Sequence, residues 1–306
     1  MRNKDLISVD DLSFEEIERI LNLARDFKKG KVAHISLEGK TLGLVFQKPS
    51  NRTRVSFSVG MYQLGGNTIY LSPEELQLGR REAVKDVARV LSRYLDVIAA
   101  RTYSHKDLVE IAREASIPVI NALTDLLHPC QALADIFTIR EITNSFKDIK
   151  LGYIGDGNNV LHSLMLAASK VGLDLSCATP RGYEPAQNIV DKAMENAKAT
   201  GSEILITDDP IEAIEDADFV YTDVWASMHQ IDELENRKKI FAAYQVNDNL
   251  LSKAKKRCFV MHCLPAKRGL EITDEVLDGD RSIVYTQAEN RLYVEKAILA
   301  LLLKRV

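Results

Sequence analysis

A short basic segment, KPSNRTR at 48–54, has the residue types and the position that suit a bound phosphate. It lies between a predicted strand and a predicted helix, and a helix N-terminus offers free N–H groups and partial positive charge. Ser50 and Thr53 add hydroxyl donors, while Arg52 and Arg54 add planar guanidinium donors. The alternative interpretation is an ordinary capped helix with arginines that face solvent.

A histidine and a glutamine stand three positions apart where another helix is predicted to begin. His128 and Gln131 could both donate to one carbonyl oxygen and stabilise its negative charge during a reaction. The alternative is a histidine that only caps the helix. Neither the HPC segment at 128–130 nor the HC pair at 262–263 has the spacing of a dedicated zinc site, so we expect no metal.

Three polar residues follow predicted strands in the second half of the chain. Asn159 belongs to a GDGNNV turn at 155–160 that lacks the third glycine and the later acidic residue of a dinucleotide site, so it is better interpreted as facing a ligand cleft. Asp223 could bind an ammonium group or cap a helix. Cys263 could be a nucleophile, a group that orients an amine, or a buried thiol, and no motif places a base beside it.

Short apolar runs alternate with amphipathic segments and place these residues at strand ends. A capping box at 13–16 begins the first helix and Gly30 is a reasonable end for it. Further helices are predicted at 53–64, 82–94, 106–115 and 287–304. Strands are predicted at 41–46, 67–71, 96–100, 118–121, 150–155, 174–178, 203–207, 218–222, 258–262 and 282–285.

This alternation predicts an α/β fold with two domains, each a mainly parallel sheet flanked by helices. The first domain is expected at 1–142 and the second at 143–286. The apolar C-terminal helix, within 287–306, is expected to pack back on the first domain.

The composition of the 306 residues limits the classes of function. With 46% hydrophobic and 27% charged residues and a net charge of −4, the chain resembles an ordinary globular protein without a basic field for nucleic acid. It shows neither a secretory leader at its start nor an apolar run of the roughly 20 residues that span a bilayer. Four cysteines fit free thiols in a reducing compartment. We therefore expect a cytoplasmic protein that binds neither nucleic acid nor membrane.

Four motifs, taken in order, resemble a known family. SNRTR at 50–54, HPCQ at 128–131, DVWASM at 223–228 and HCLP at 262–265 are together similar to the signature set of the ornithine carbamoyltransferases. Aspartate carbamoyltransferases share the first two motifs, and the last two point to ornithine. The resemblance covers nearly the whole chain.

The resemblance implies transfer of a carbamoyl group from carbamoyl phosphate to the δ-amine of L-ornithine, giving L-citrulline and phosphate in arginine biosynthesis, without a cofactor. It assigns carbamoyl phosphate binding to Ser50, Asn51, Arg52, Thr53, Gln77, Arg101, His128, Gln131, Cys263, Leu264 and Arg291. It assigns ornithine binding to Asn159, Asp223, Ser227 and Met228. Catalysis falls to Arg101, His128, Gln131, Asp223 and Cys263. Gln77 matches a residue lent to a neighbouring subunit's site, which implies a homo-oligomer, a trimer.

Two departures from the family pattern affect the substrates. Asn51 stands where the family usually has threonine, and its amide can still donate to phosphate. His229 stands where a glycine usually follows Met228, in the segment that contacts ornithine. The competing interpretations are a transferase for another amine, such as putrescine or N-acetylornithine, and a catalytically silent relative that only binds.

Overall fold

The computed structural model describes residues 4–32, 34–76, 78, 82–226 and 233–304. Within these ranges the strands are β1 (Thr41–Phe46), β2 (Asn67–Leu71), β3 (Val97–Arg101), β4 (Val119–Leu123), β5 (Lys150–Ile154), β6 (Asp174–Ala178), β7 (Ile204–Thr207), β8 (Phe219–Thr222) and β9 (Phe259–His262). The helices are α1 (Phe14–Lys28), α2 (Asn51–Gln63), α3 (Pro73–Leu76), α4 (Val84–Leu91), α5 (His105–Glu114), α6 (Pro129–Thr143), α7 (Asn159–Val171), α8 (Gln187–Thr200), α9 (Pro210–Ile214), α10 (Leu234–Phe241), α11 (Asp248–Leu251), α12 (Asp274–Leu277) and α13 (Val284–Lys304). Short 3-10 turns cover Val9–Asp11 and Ala242–Tyr244.

The chain divides into two compact units, and the first is assembled from two separate stretches of sequence. Unit 1 comprises Met1–Ala134 with Glu289–Val306, and unit 2 is the continuous stretch Asp135–Ala288. The two junctions fall inside α6 and α13, so neither junction is a loop. The domain boundaries expected from the sequence, 142/143 and 286/287, stay a prediction.

Unit 1 contains a parallel sheet with strand order β2-β1-β3-β4. Its central strands are almost continuously buried, as in sheets that are covered on both faces. Since all four strands run in one direction, their carboxyl ends share one edge. The segment 48–54 follows β1 at that edge, β3 ends there with Arg101, and His128 lies five residues beyond β4.

The C-terminal part of α13 packs in unit 1, as the sequence predicts. The Lys28 ammonium of α1 donates to Asn290 Oδ1 at 2.7 Å, and the Lys296 ammonium donates to Gln63 Oε1 of α2 at 2.9 Å. At Gly60 of α2 an added Cβ would lie 3.1 Å from Lys296 Cγ, so the absence of a side chain lets the two helices approach. The predicted fold class is thereby confirmed.

Unit 2 contains a parallel sheet of order β7-β6-β5-β8-β9. The chain runs outward from β5 through β6 to β7 and then returns to β8 on the other side of β5. The carboxyl ends of β5 and β8 therefore flank the point at which the strand order reverses, where open α/β sheets bind ligands. Asn158 follows β5 and Asp223 follows β8.

Each sheet has its own apolar core. In unit 1, Ile98 of β3 packs with Val87 of α4 and Leu108 of α5. In unit 2, Val220 of β8 packs with Ile214 of α9, and the same cluster contains Trp225, Phe241 and Leu277. Among the described residues, no helix is both long enough and apolar enough to cross a bilayer.

The first predicted helix is confirmed at its start. The Ser13 hydroxyl accepts from the Glu16 N–H at 3.3 Å, and the Ser13 N–H donates to the Glu16 carboxylate at 3.1 Å, so both halves of the capping box form. The helix ends at Lys28, just before Gly30, which has a φ of 65°.

The predicted strand at 282–285 is wrong. Ser282 makes only an isolated bridge with Val260, and α13 begins at Val284. The run is short, and a short apolar run does not distinguish a buried strand from the buried first turn of a helix.

Candidate functional site

The basic segment of unit 1 forms the start of α2. Ser50 is the N-cap residue, and its hydroxyl accepts from the Thr53 N–H at 3.3 Å. Asn51 is exposed at the first helical position, Arg52 is half-buried and Thr53 is buried. The capped N-terminus of α2 therefore presents these side chains together with its free N–H groups.

Arg291 of α13 anchors this turn. Arg291 is 3% exposed, and its Nη2 donates to Thr53 Oγ1 at 3.0 Å and to Glu295 Oε1 at 2.8 Å. A charged group is thus held at low exposure by hydrogen bonds that include a hydroxyl and a carboxylate, and charge-assisted hydrogen bonds of this kind are strong. Arg291, predicted to contact carbamoyl phosphate, is placed beside the predicted phosphate turn.

His128 lies in the field of three arginines. Burial lowers the pKa of His128 well below its usual range, and the positive charges of Arg291, Arg101 and Arg52 lower it further. These four residues are the cationic cluster of unit 1. A neutral imidazole there can donate one hydrogen bond to an oxygen but does not act as a strong acid.

Gln131 is buried two positions inside α6, three residues after His128. Its side-chain amide can donate from the same region as the imidazole. The predicted pairing of His128 and Gln131 therefore lies at the edge of the sheet that also carries Arg101.

Two other basic residues of the segment 48–54 differ in their surroundings. Lys48 is buried with its ammonium 4.7 Å from the centre of the Tyr103 ring, and burial together with the charge of Arg101 lowers its pKa to about 8. Arg54 is exposed, and its guanidinium lies 3.9 Å from the centre of the Tyr70 ring. Sequence reasoning gave Arg54 a phosphate-binding role, but the structure gives it an aromatic partner on β2.

Asp223 is the centre of a second cluster, in unit 2. Its Oδ1 accepts from the Cys263 thiol at 3.0 Å, and its Oδ2 accepts from Asn158 Nδ2 at 2.8 Å. Asp223 is buried, while Asn158 and Cys263 are half-buried. We call these three residues the carboxylate–thiol cluster.

The electrostatics of Cys263 disfavour a covalent nucleophile. Burial raises the pKa of the Cys263 thiol well above its usual range, and the neighbouring Asp223 carboxylate raises it further. The thiolate is the nucleophilic form of cysteine, and this environment suppresses it. Of the three interpretations that the sequence left open, the nucleophile is therefore disfavoured, while the thiol that orients an amine and the buried thiol both stay predictions.

Asn158 is a site residue that sequence reasoning missed. Its Oδ1 caps α7 by accepting from the N–H groups of Val160 at 2.9 Å and Leu161 at 3.1 Å, while its Nδ2 holds Asp223. The predicted residue, Asn159, is the half-buried first residue of α7. An asparagine directly before an apolar helical run is a recognisable N-cap signal, and it was available in the sequence.

The turn after β9 depends on His262. Leu264 adopts a left-handed conformation with φ 57°, which is unfavourable for a side chain of its kind, and its N–H donates to His262 Nδ1 at 2.8 Å. His262 Nε2 lies 3.2 Å from Glu271 Oε1, with both side chains fully buried. The Gln287 side chain accepts from the His262 N–H at 2.9 Å and donates to Asp135 at 2.7 Å. Cys263 and Leu264 are thereby held by a buried polar network.

The ligand atoms of Asp223, His262 and Cys263 lie within 4.8 Å of one another, close enough to share a metal ion. However, Nδ1 of His262 accepts from Leu264 and Nε2 is paired with Glu271. A metal would have to displace one of these hydrogen bonds, so the donor set fits a metal poorly.

Four positions singled out in the sequence, Gln77, Ser227, Met228 and His229, lie outside the described residues.

Comparisons with known proteins cover the whole chain. Residues 4–141 match the family model for the aspartate/ornithine carbamoyltransferase carbamoyl-P binding domain, and residues 147–302 match that for the Asp/Orn binding domain. The chain is 52% identical over 306 residues to an ornithine carbamoyltransferase of Pyrococcus horikoshii, covering 99% of this chain and 96% of the relative. It is 53% identical to one of Bacillus thuringiensis, covering 100% and 96%.

The solved structure of ornithine carbamoyltransferase from Pyrococcus furiosus is similar, with a TM-score of 0.96 at 52% identity, covering 99% of this chain and 97% of that chain. The two domain models name the same family, and the relatives that match over nearly their whole length carry names from it. Arg101 and Asp223, at the strand ends, are among the residues that the family resemblance predicted. The chain belongs to the aspartate/ornithine carbamoyltransferase family.

Proposed function

We propose that the protein transfers the carbamoyl group of carbamoyl phosphate to the δ-amine of L-ornithine, releasing L-citrulline and phosphate. The observation that carries the proposal is the cationic cluster: in a chain of net charge −4, three arginines act on one buried histidine beside a capped helix N-terminus. Relatives 52–53% identical over 96–97% of their length are named ornithine carbamoyltransferases, and that of Pyrococcus furiosus is named anabolic. We accordingly assign the protein to the cytoplasmic biosynthesis of arginine.

Unit 1 would bind carbamoyl phosphate. Its dianionic phosphate suits the N–H groups at the start of α2 and the guanidinium groups of Arg52, Arg101 and Arg291. The carbamoyl oxygen would accept from Arg101, His128 and Gln131. The full set comprises Ser50, Asn51, Arg52, Thr53, Arg101, His128, Gln131 and Arg291, with Gln77, Cys263 and Leu264 as further predicted contacts.

Unit 2 would bind ornithine. An alkyl ammonium has an ordinary pKa of about 10.4, and only its neutral form attacks a carbonyl carbon. The Asp223 carboxylate and the Cys263 thiol, 3.0 Å apart, would hold the δ-amine by hydrogen bonds. Asn159, with Ser227 and Met228, would contact the amino-acid end, a role that remains an expectation from the family resemblance.

The proposed reaction balances without a cofactor. The amine nitrogen forms a bond to the carbamoyl carbon, and the carbonyl oxygen becomes an oxyanion that Arg101, His128 and Gln131 stabilise. The carbon–oxygen bond to phosphate then breaks, and a proton of the attacking amine passes to the phosphate. Loss of one oxyanion donor typically raises such a barrier by about 2.7–4 kcal/mol.

We also propose that the protein is a homotrimer in which Gln77 reaches a neighbouring subunit. An exposed apolar surface supports self-association: Val55, Val59 and Tyr62 follow one face of α2 at helical spacing, and Ile69 is exposed on the edge strand β2. Light scattering on the purified protein should give a mass three times 34.3 kDa or a multiple of it.

The test is citrulline formation by the purified protein, with ornithine, putrescine, N-acetylornithine and aspartate offered in parallel. Strong turnover with ornithine alone supports the proposal. Turnover with another amine would support the phosphate site but would show that the amine substrate is not ornithine. Carbamoyl phosphate binding without turnover on any amine supports the silent relative.

The phosphate assignment has its own test. Arg52→Ala should remove most carbamoyl phosphate binding, because the charge lies in the cationic cluster. Arg93→Ala removes the same charge from an exposed position of unit 1 and should leave the kinetics unchanged. An Arg52→Ala variant with unaltered turnover and KM would refute the assignment.

A further inference from the structure

Glu295 is a carboxylate buried directly behind the cationic cluster. It has no exposed surface and lies one helical turn after Arg291 on α13, with Oε1 2.8 Å from Arg291 Nη2. Burial raises the pKa of Glu295, and the charge of Arg291 and a hydrogen bond from Ser56 of α2 act in the opposite direction.

In the described part of unit 1, Glu295 is one of few buried acidic side chains, and it lies beside a concentration of positive charge. Among the described residues of unit 1, the other buried acidic side chain is Glu16, which is engaged in the capping box of α1. Arg291, Arg101 and Arg52 all act on His128, so their charges are concentrated in one region. Glu295 therefore supplies a buried negative charge at hydrogen-bond distance from Arg291, a member of the cationic cluster, before any ligand binds.

We propose that Glu295 is a positioning residue that acts through Arg291 and sets the affinity of the cationic cluster for the phosphate dianion. The inference rests on the proposed function, since it takes the cluster to be the phosphate site. Glu295 compensates the Arg291 charge in the empty protein and holds its guanidinium against Thr53. It also repels the incoming dianion, since like charges at short range interact strongly where water is scarce.

The two effects oppose each other in a predictable way. When one partner of a buried ion pair is removed, the remaining charge is left uncompensated, which is strongly unfavourable. A bound phosphate would restore the compensation, so loss of the Glu295 charge should favour the liganded protein over the empty one. Phosphate is both the leaving group of the substrate and a product, so a moderate affinity favours its release.

The experiment measures inorganic phosphate binding by calorimetry and thermal shift on the full chain with Glu295→Gln. We expect a Kd for phosphate about tenfold lower than that of the unmodified protein, equivalent to about 1.4 kcal/mol. The melting temperature without phosphate should fall, and the rise on adding phosphate should be larger. KM for carbamoyl phosphate should fall together with kcat, whereas a general loss of structure would raise KM.

Glu289→Gln is the matched control. It removes the same charge from an exposed position on the same helix and should leave the Kd for phosphate unchanged. Ser56→Ala is a second variant for the case in which Glu295→Gln does not fold. It removes the Ser56 hydroxyl, which hydrogen-bonds Glu295 and also donates to the Thr53 carbonyl oxygen at 3.4 Å. Because the Glu295 carboxylate itself stays in place, the Kd should fall in the same direction and by less.

Equal or weaker phosphate binding by Glu295→Gln, or by Ser56→Ala if the former does not fold, would overturn the inference while leaving the proposed function intact. Absence of phosphate binding by the unmodified protein would overturn both.

Discussion

Asn158 performs two tasks, and substitutions can separate them. Its Oδ1 caps α7 and its Nδ2 orients Asp223. Asn158→Ser keeps a good cap but is too short to reach Asp223. Asn158→Asp keeps the cap and places a carboxylate where an amide donor stood, 2.8 Å from Asp223 Oδ2.

The magnitudes differ between the two variants. Losing a hydrogen bond to a charged group costs about 1.5–3 kcal/mol, so both variants should raise KM for ornithine by roughly tenfold or more. In Asn158→Asp, two charges 2.8 Å apart would repel by about 6 kcal/mol at an effective dielectric constant of 20. Because Asn158 is half-buried, solvent screening should reduce this destabilisation to about 1–3 kcal/mol.

The stability of the Asn158→Asp variant should depend on pH, and the direction of that dependence can be worked out. In the folded Asn158→Asp variant the paired carboxylates bind a proton more readily than in the unfolded chain, where their pKa is about 3.9. Between about pH 4 and the raised folded value, the folded state holds more protons, so its stability falls as pH rises. The free energy of unfolding of Asn158→Asp should equal that of Asn158→Ser near pH 4. It should be lower by the full amount at pH values above the raised pKa of the folded state.

The assay is urea denaturation of both variants and the unmodified protein between pH 4.5 and 8, followed by ornithine kinetics. A deficit of Asn158→Asp relative to Asn158→Ser that does not change with pH would refute the electrostatic reasoning. Unaltered KM for ornithine in both variants would refute the role of Asp223 in the site.

Three further predictions follow from groups whose surroundings are unusual. Lys48 lies in the segment 48–54, and burial together with the charge of Arg101 lowers its pKa to about 8. A dianion bound at the start of α2 should favour the protonated ammonium, so phosphate affinity should fall as pH rises through 8. Calorimetry in several buffers at pH 8 should detect proton uptake on binding, and no uptake would contradict this prediction. Because the pKa of Cys263 is well above its usual range, iodoacetamide should label this thiol more slowly at pH 8 than an unhindered thiol. Asp223→Asn should accelerate the labelling, which mass spectrometry can measure. Equal labelling rates in the variant and the unmodified protein would argue against the thiol–carboxylate contact. His262→Leu removes the acceptor for the Leu264 N–H and should lower kcat/KM about 10- to 100-fold, as expected for a loss of about 1–3 kcal/mol. His262→Asn keeps a side-chain oxygen that can accept this hydrogen bond and should retain most of kcat/KM. Equal losses of kcat/KM in the two variants would exclude the positioning role of His262.

Local patterns predict strands well where a short apolar stretch is clearly bounded. The runs at 41–46, 67–71 and 174–178 coincide with β1, β2 and β6, because each is a short apolar stretch bounded by turn residues. The run at 282–285 fails because the deciding factor is tertiary: Gln287, inside α13, hydrogen-bonds the end of β9.

Motif spacing predicts which residues carry chemistry better than it predicts their partners. The resemblance names Arg291 and Asp223, but it does not reveal that Glu295 binds one and Asn158 the other. Such partners depend on which helix end or strand end lies next to the residue in the folded protein. A motif in the linear sequence does not contain the distances between segments. Arg54 illustrates the same limit, since only the structure shows its stacking on Tyr70.

The two-part construction of unit 1 has a consequence for synthesis on the ribosome. Unit 2 is continuous and ends at Ala288, whereas unit 1 requires residues from Glu289 onward. During translation, where domains generally fold as units, the second part of the chain has everything it needs before the first part does. Arg291 and Glu295 arrive last, so a polypeptide released early at 288 would contain a complete unit 2 but no Arg291 beside Thr53. Unit 1 can therefore be completed only after nearly the whole chain has been synthesised.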